Sequence, residues 1–117
     1  MEGAKVGKWV KIIKEGTYQI KFTDDHLNRL GIVHGGIICV FFDEIMGSLV
    51  KQEVVTVNLN VDFMEPAIKG EALAIAKVDR RGKDLIFVQA KILQNKKIVA
   101  RAHGIYFMVP KTFLGSA

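Results

Sequence analysis

The run from Gly36 to about Val50 constrains this chain more than any other stretch. At about 15 residues it is longer than a typical buried strand, and Glu44, Ser48 and Lys51 recur through and just past it at helical spacing, as one narrow polar stripe. At ~100° per residue, Ile38, Phe41, Phe42, Ile45, Met46 and Leu49 cover a wide arc away from that stripe. A helix apolar over most of its circumference needs a sheet wrapped around it.

The remainder of the chain supplies strands. Val10 and Ile12, then Tyr18, Ile20 and Phe22, recur at every second position on either side of Glu15-Gly16, which predicts a hairpin. Val55, Val57, Leu59, Val61 and Phe63 alternate with Thr56, Asn58, Asn60 and Asp62, the period of a strand with two unlike faces, until Pro66 and Gly70 end it. Glu71 to Val78, Asp84 to Leu93 and Ile98 to Met108 are three further apolar-rich segments, parted by Arg80-Arg81-Gly82-Lys83 and Gln94-Asn95-Lys96-Lys97. A hairpin, one long helix and then a run of strands is an α+β order, and it disfavours a doubly wound nucleotide fold.

With 117 residues, 50% of them apolar, residues 1–117 are expected to form a single domain with a flexible C-terminal tail at about 110–117. Met1 to Lys14 mixes charges into every turn and lacks the pattern of a secretory leader, so the expected location is cytoplasmic. The longest apolar stretch, Ile37 to Phe42, falls far short of the ~20 residues that cross a bilayer. The lone Cys39 reads as a small buried hydrophobe in a reducing compartment, and it and the three histidines lack metal-ligand spacing. The net charge of +5 is spread along the chain, which fits either solvated strand ends or attraction of an anionic ligand. Nucleic acid is disfavoured as that ligand, because the basic residues lack interleaved aromatics.

Asp43 stands out chemically. It lies off the polar stripe and shares a helix edge with Gly36, Cys39 and Gly47, small neighbours that leave space for a ligand or another chain beside the carboxylate. The same position also suits a paired acid at a helix shoulder. His34-Gly35-Gly36 falls where loop becomes helix. The first N–H groups of a helix have no partner within it and carry the positive end of its dipole, so they can hold a carbonyl oxygen that is gaining negative charge.

The block Asn28-x-x-Gly31-x-x-His34-Gly35-Gly36, with Asp43 nine residues after the histidine, resembles the PaaI-type (phenylacetyl-CoA thioesterase-like) branch of the hotdog superfamily. Val55 to Glu71 and the closing hairpin from Gly82 to Gly104 are similar to the same family's strands, so the likeness spans roughly residues 18 to 108. Two departures stand out: the connection Lys51 to Val54 is short, and Glu65 occupies a pre-proline position where relatives carry a small residue.

The resemblance implies a hotdog fold, one long central helix wrapped by an antiparallel sheet, and an acyl-CoA thioesterase acting as a homodimer or a homotetramer of two dimers. It implies that each active site is shared, with Asn28, His34 and Gly35 from one subunit and Asp43 and Thr56 from the other. The Gly35 N–H would polarise the thioester carbonyl, Asn28 would place substrate or water, and His34 would orient the loop. Asp43 would act as general base or nucleophile, with Thr56 holding the water. No cofactor is required, coenzyme A being part of the substrate. Arg80, Arg81 and Lys83, read as one turn, are the candidates for its phosphates. An acyl-CoA hydratase or dehydratase and a non-enzymatic acyl-CoA-binding module are the alternative readings on the same fold.

Overall fold

The computed structural model describes residues 8–110, so the tail expected from about residue 110 lies, beyond Pro110, outside the described residues. Strands β1 (Val10–Lys14) and β2 (Thr17–Phe22) form the first hairpin, followed by helix α1 (Gly35–Leu49) and strands β3 (Val54–Phe63), β4 (Gly70–Arg81), β5 (Leu85–Gln94) and β6 (Lys97–Met108). All pair antiparallel in one six-stranded sheet of order β1-β2-β4-β5-β6-β3. At the first turn Gly16 has φ +83°, and a Cβ there would come 2.7 Å from the Ala76 carbonyl oxygen, so both conformation and space require glycine.

The helix packs as its periodicity predicts: Ile38, Phe41, Phe42, Ile45, Met46 and Leu49 are all buried. The sheet meets them with large residues toward its β2 side, where Phe22 stands edge-on to Phe41 at 5.4 Å. Beneath the helix, Ala72, Ala74, Ala76, Ala90, Ala100 and Ala102 are buried small residues that let it approach the strands closely. Lys51 belongs to the connection and not to the helix. It adopts φ +62° after the tightened last turn, in which the N–H groups of Val50 and Lys51 bond the Gly47 and Ser48 carbonyls. Its ion pair with Glu15, at 3.2 Å, is largely solvated and adds little.

Two departures from the strand pattern bear on the site. Strict alternation would put Thr56 on the same side as Asn58 and Asn60. The β3–β6 register slips between Thr56 and Asn58, so Val57 is an extra residue in a bulge. Thr56 therefore sits opposite Tyr106, and Leu59 opposite Gly104, both on the helix-facing side, while Val55 and Val57 stay exposed. The second departure is in β4, which runs through Arg81. Arg80 pairs with Phe87 and Arg81 with the buried Ile86, so the two arginines lie in a strand on opposite faces instead of together in a turn.

Candidate active site

Asp43 projects from mid-helix, half-buried, toward a point where bulge and strand present two hydroxyls. Thr56 Oγ1 donates to its Oδ1 at 2.8 Å, and the Tyr106 hydroxyl donates to the same oxygen at 3.0 Å. Tyr106 is 1% exposed, and its phenol is pushed well above the usual tyrosine range by burial, then by the adjacent Asp43 charge. It stays a donor at any working pH. A cavity of about 450 Å³ opens beside the carboxylate, walled by Glu44, Gly47, Ser48, Glu53, Thr56 and Tyr106.

Tyr106 escapes sequence reasoning, although a signal exists. Gly104 shares its face of β6, and the side chain missing there makes room for one large ring, while Gly47 faces that ring from the helix at ordinary contact distance. A Cβ at Gly104 would come within 2.7 Å of that ring and 3.1 Å of Met46 Cε.

The Asn28 to Gly36 loop is a built structure. The Asn28 Oδ1 accepts the N–H groups of Leu30 and Ile32, at 2.8 and 3.2 Å, and its own N–H reaches the Ile32 carbonyl. Gly31 turns the chain at φ +79°. The Asn28 carboxamide oxygen is thus engaged within the loop. His34 is exposed, caps α1 through its backbone with no side-chain bond to the helix, and has φ −56° and ψ 134°. Its N–H bonds the His26 carbonyl at 3.0 Å, while the neighbouring Val33 N–H bonds Ala67. Gly35, the first helical residue, is exposed, with the Phe63 ring close against it.

His26, which has no role in the sequence reading, is the loop's buried anchor at 4% exposure. It packs edge-on to Trp9 and Phe41, and its Nδ1 accepts the Thr23 N–H at 2.9 Å, which places its proton on Nε2. Burial holds its pKa below the ordinary histidine value. The unfolded chain takes up a proton near ~6.5 and the folded one only at lower pH, so the stability His26 confers is complete above ~6.5 and is lost as pH falls toward the depressed folded value. The melting temperature is expected to drop between pH 7 and pH 5, and to drop less in His26→Gln. Identical acid sensitivity in thermal unfolding of the two proteins would refute this.

The structure brings Asp43 and Thr56 together, and holds Asn28, His34 and Gly35 together in the loop, but keeps the two groups apart. Gly35 and Asp43 are eight residues apart on one straight helix, roughly 12 Å along its axis. Of the phosphate candidates, Arg80 stacks over Phe87, Arg81 donates to Gln52 Oε1 at 3.2 Å beside the acid cavity, and Lys83 is exposed in the turn. Cys39 is half-buried, its thiol pushed up by burial.

One long helix cradled in a six-stranded antiparallel sheet, with an acid at mid-helix and a glycine pair at its start, defines a protein of the hotdog class. Residues 30–100 match the model of the thioesterase superfamily. A Thermoplasma volcanium protein named as an esterase is 32% identical over 93 residues, 72% of this chain and 68% of that one. Acyl-coenzyme A thioesterase 13 of Homo sapiens is 34% identical over 92 residues, 71% of this chain and 65% of the relative. A solved structure from Ralstonia eutropha, described as a phenylacetic acid degradation-related thioesterase, superposes with a TM-score of 0.80 over 90% of this chain and 89% of that one, at 27% identity. This chain belongs to the thioesterase superfamily and is a thioester hydrolase.

Among the described residues no helix is long and apolar enough to cross a membrane.

Proposed function

We propose that the chain hydrolyses acyl-coenzyme A to free acid and coenzyme A at a site completed by two copies. The separation of Asp43 from Gly35 within one chain carries this reading, because a carbonyl held by the helix start lies out of reach of the same helix's acid. Two helices side by side and antiparallel would set the Gly35 N–H of one copy against Asp43 of the other. The open edge of β3, with Val55 and Val57 more than half exposed, supports pairing along that strand. A tetramer of two such dimers is the larger assembly expected. The name of the human relative, an acyl-coenzyme A thioesterase, supports the leaving group.

In this reading the Gly35 N–H holds the thioester oxygen as negative charge builds on it, and Asn28 places substrate through its carboxamide nitrogen. His34 sets the loop. Asp43 either takes a proton from water, whose oxygen then bonds the acyl carbon, or bonds that carbon itself and is released by water. In both routes the C–S bond breaks and its electron pair leaves with sulfur, which ends as the coenzyme A thiol. Thr56 donates its own proton to Asp43, so it can meet water only as an acceptor. Arg81, near the cavity rim, and Arg80 and Lys83 remain the proposed phosphate contacts.

The cavity beside Asp43 would take the acyl group. Glu53 in its wall disfavours an acyl tail ending in a carboxylate by roughly tenfold against a neutral tail of equal length. Thiol release from hexanoyl-, adipoyl- and phenylacetyl-CoA tests both levels. Hydrolysis with adipoyl-CoA poorest supports them, and equal rates for hexanoyl and adipoyl tails remove the charge argument. Hydration of an enoyl-CoA without thiol release would favour the hydratase reading instead.

A further inference from the structure

We propose that Tyr106 is a positioning residue for the reaction: together with Thr56 it fixes one oxygen of the Asp43 carboxylate and so selects the other, Oδ2, as the oxygen that reacts. The inference rests on the reading of Asp43 as the acid at the reacting centre.

Both hydroxyls converge on Oδ1, at 2.8 Å from Thr56 and 3.0 Å from Tyr106. An oxygen accepting two hydrogen bonds has its lone-pair directions occupied, and two donors from adjacent strands hold the carboxylate against rotation about its Cβ–Cγ bond. Among the described residues both side-chain donors go to Oδ1, and Asp43 lines the cavity, so in this proposal Oδ2 takes the cavity side. Each donor is placed by a local feature of its own strand. The bulge at Val57 turns Thr56 to the helix side. Tyr106 is seated against Gly104, where a Cβ would lie 2.7 Å from Cε1 of its ring, and it faces Gly47, where a Cβ would make only ordinary contact at 3.8 Å from Cε2. The same hydroxyl also reaches the Asp43 backbone carbonyl, at 3.4 Å, which ties the ring to this one turn of α1.

The division of labour suits either chemical route. As a base, Oδ2 takes the water proton while Oδ1 keeps the carboxyl plane toward the water. As a nucleophile, Oδ2 bonds the acyl carbon, the C–S electron pair leaves with sulfur, and Oδ1 becomes the carbonyl oxygen of the anhydride, still held by two donors.

The test compares Tyr106→Phe, Thr56→Val and the double variant with the parent, for the acyl-CoA that the parent hydrolyses fastest. Tyr106→Phe keeps the ring and removes only the hydroxyl. Its melting temperature is expected to stay within a few degrees of the parent, with kcat about tenfold lower and KM unchanged. Because each donor alone still holds Oδ1, the double variant is expected to lose more than the product of the two single losses. An unchanged kcat in Tyr106→Phe, a loss confined to KM, or strictly multiplicative losses would overturn the proposal. If the parent releases thiol from no acyl-CoA, the functional reading fails by itself. The positioning claim is then decided by carbon-13 NMR of protein carrying γ-labelled aspartate, with the Asp43 signal assigned by its disappearance in Asp43→Asn. A signal that moves in Tyr106→Phe supports the contact, and one that does not move overturns it.

Discussion

Asp43→Asn is expected to lower the rate of thiol release from acyl-CoA by a factor of about a thousand, within the range that a positioned base supplies. The amide has nearly the shape of the carboxylate, and its oxygen can still accept from Thr56 and Tyr106, so the fold and acyl-CoA binding are expected to persist. Asp43→Ala is a harsher change. It leaves the hydroxyl of a fully buried Tyr106 without its side-chain acceptor, at a cost of about 1–3 kcal/mol, so its melting temperature should fall where that of Asp43→Asn does not. Calorimetric titration with acyl-CoA, set beside the rates, separates lost chemistry from lost binding. Unchanged turnover in Asp43→Asn would remove this residue from the reaction.

Gly35→Pro is expected to reduce the rate by about a hundredfold or more, because it deletes the N–H assigned to the thioester oxygen. Proline is well tolerated at the first position of a helix, and the preceding His34, at φ −56° and ψ 134°, already has the extended conformation that proline imposes on its neighbour. The Phe63 ring, whose tip would lie 3.2 Å from a Cβ at Gly35, must shift slightly. The two variants also test whether the site is shared. When inactive Asp43→Asn and inactive Gly35→Pro chains are mixed and allowed to exchange, half of the dimers are hybrids, and each hybrid holds one site with both groups intact. About a quarter of parental activity should return. No recovery after demonstrated exchange would show that one chain suffices for a site, and a stable active monomer in sedimentation would show the same.

How much of this was legible beforehand depended on how local each cause is. The buried face of α1 follows from spacing within one helix, and all six residues read from the wheel are in the core. Asp43 was legible because it departs from the polar stripe. The inward turn of Thr56 was not legible from strand periodicity, since the bulge at Val57 is set by register against β6, about fifty residues away, and reverses the face that alternation assigns. Its role came from family likeness alone. Tyr106 was missed for a related reason: its partner Asp43 is 63 residues distant, and only the glycines around the ring hint at it. Arg80 and Arg81 look like turn residues by composition, yet pairing with β5 carries the strand through them. His26 sits in a polar stretch, and its burial arises from Trp9 before β1, Phe22 of β2 and Phe41 of α1 closing on it.

The bulge at Val57 has a second consequence, one that concerns the single chain. A newly made monomer offers the outer rim of β3, ten residues long, as a template to any extended polypeptide it encounters. Flat, regular rims of that kind propagate into fibrils, whereas a residue too many in the ladder interrupts the row of amides and twists it locally. The feature that delivers a hydroxyl to the acid therefore also limits which strangers can dock there, and mutational regularisation of that segment would expose the cell to insoluble protein as well as to a slower enzyme.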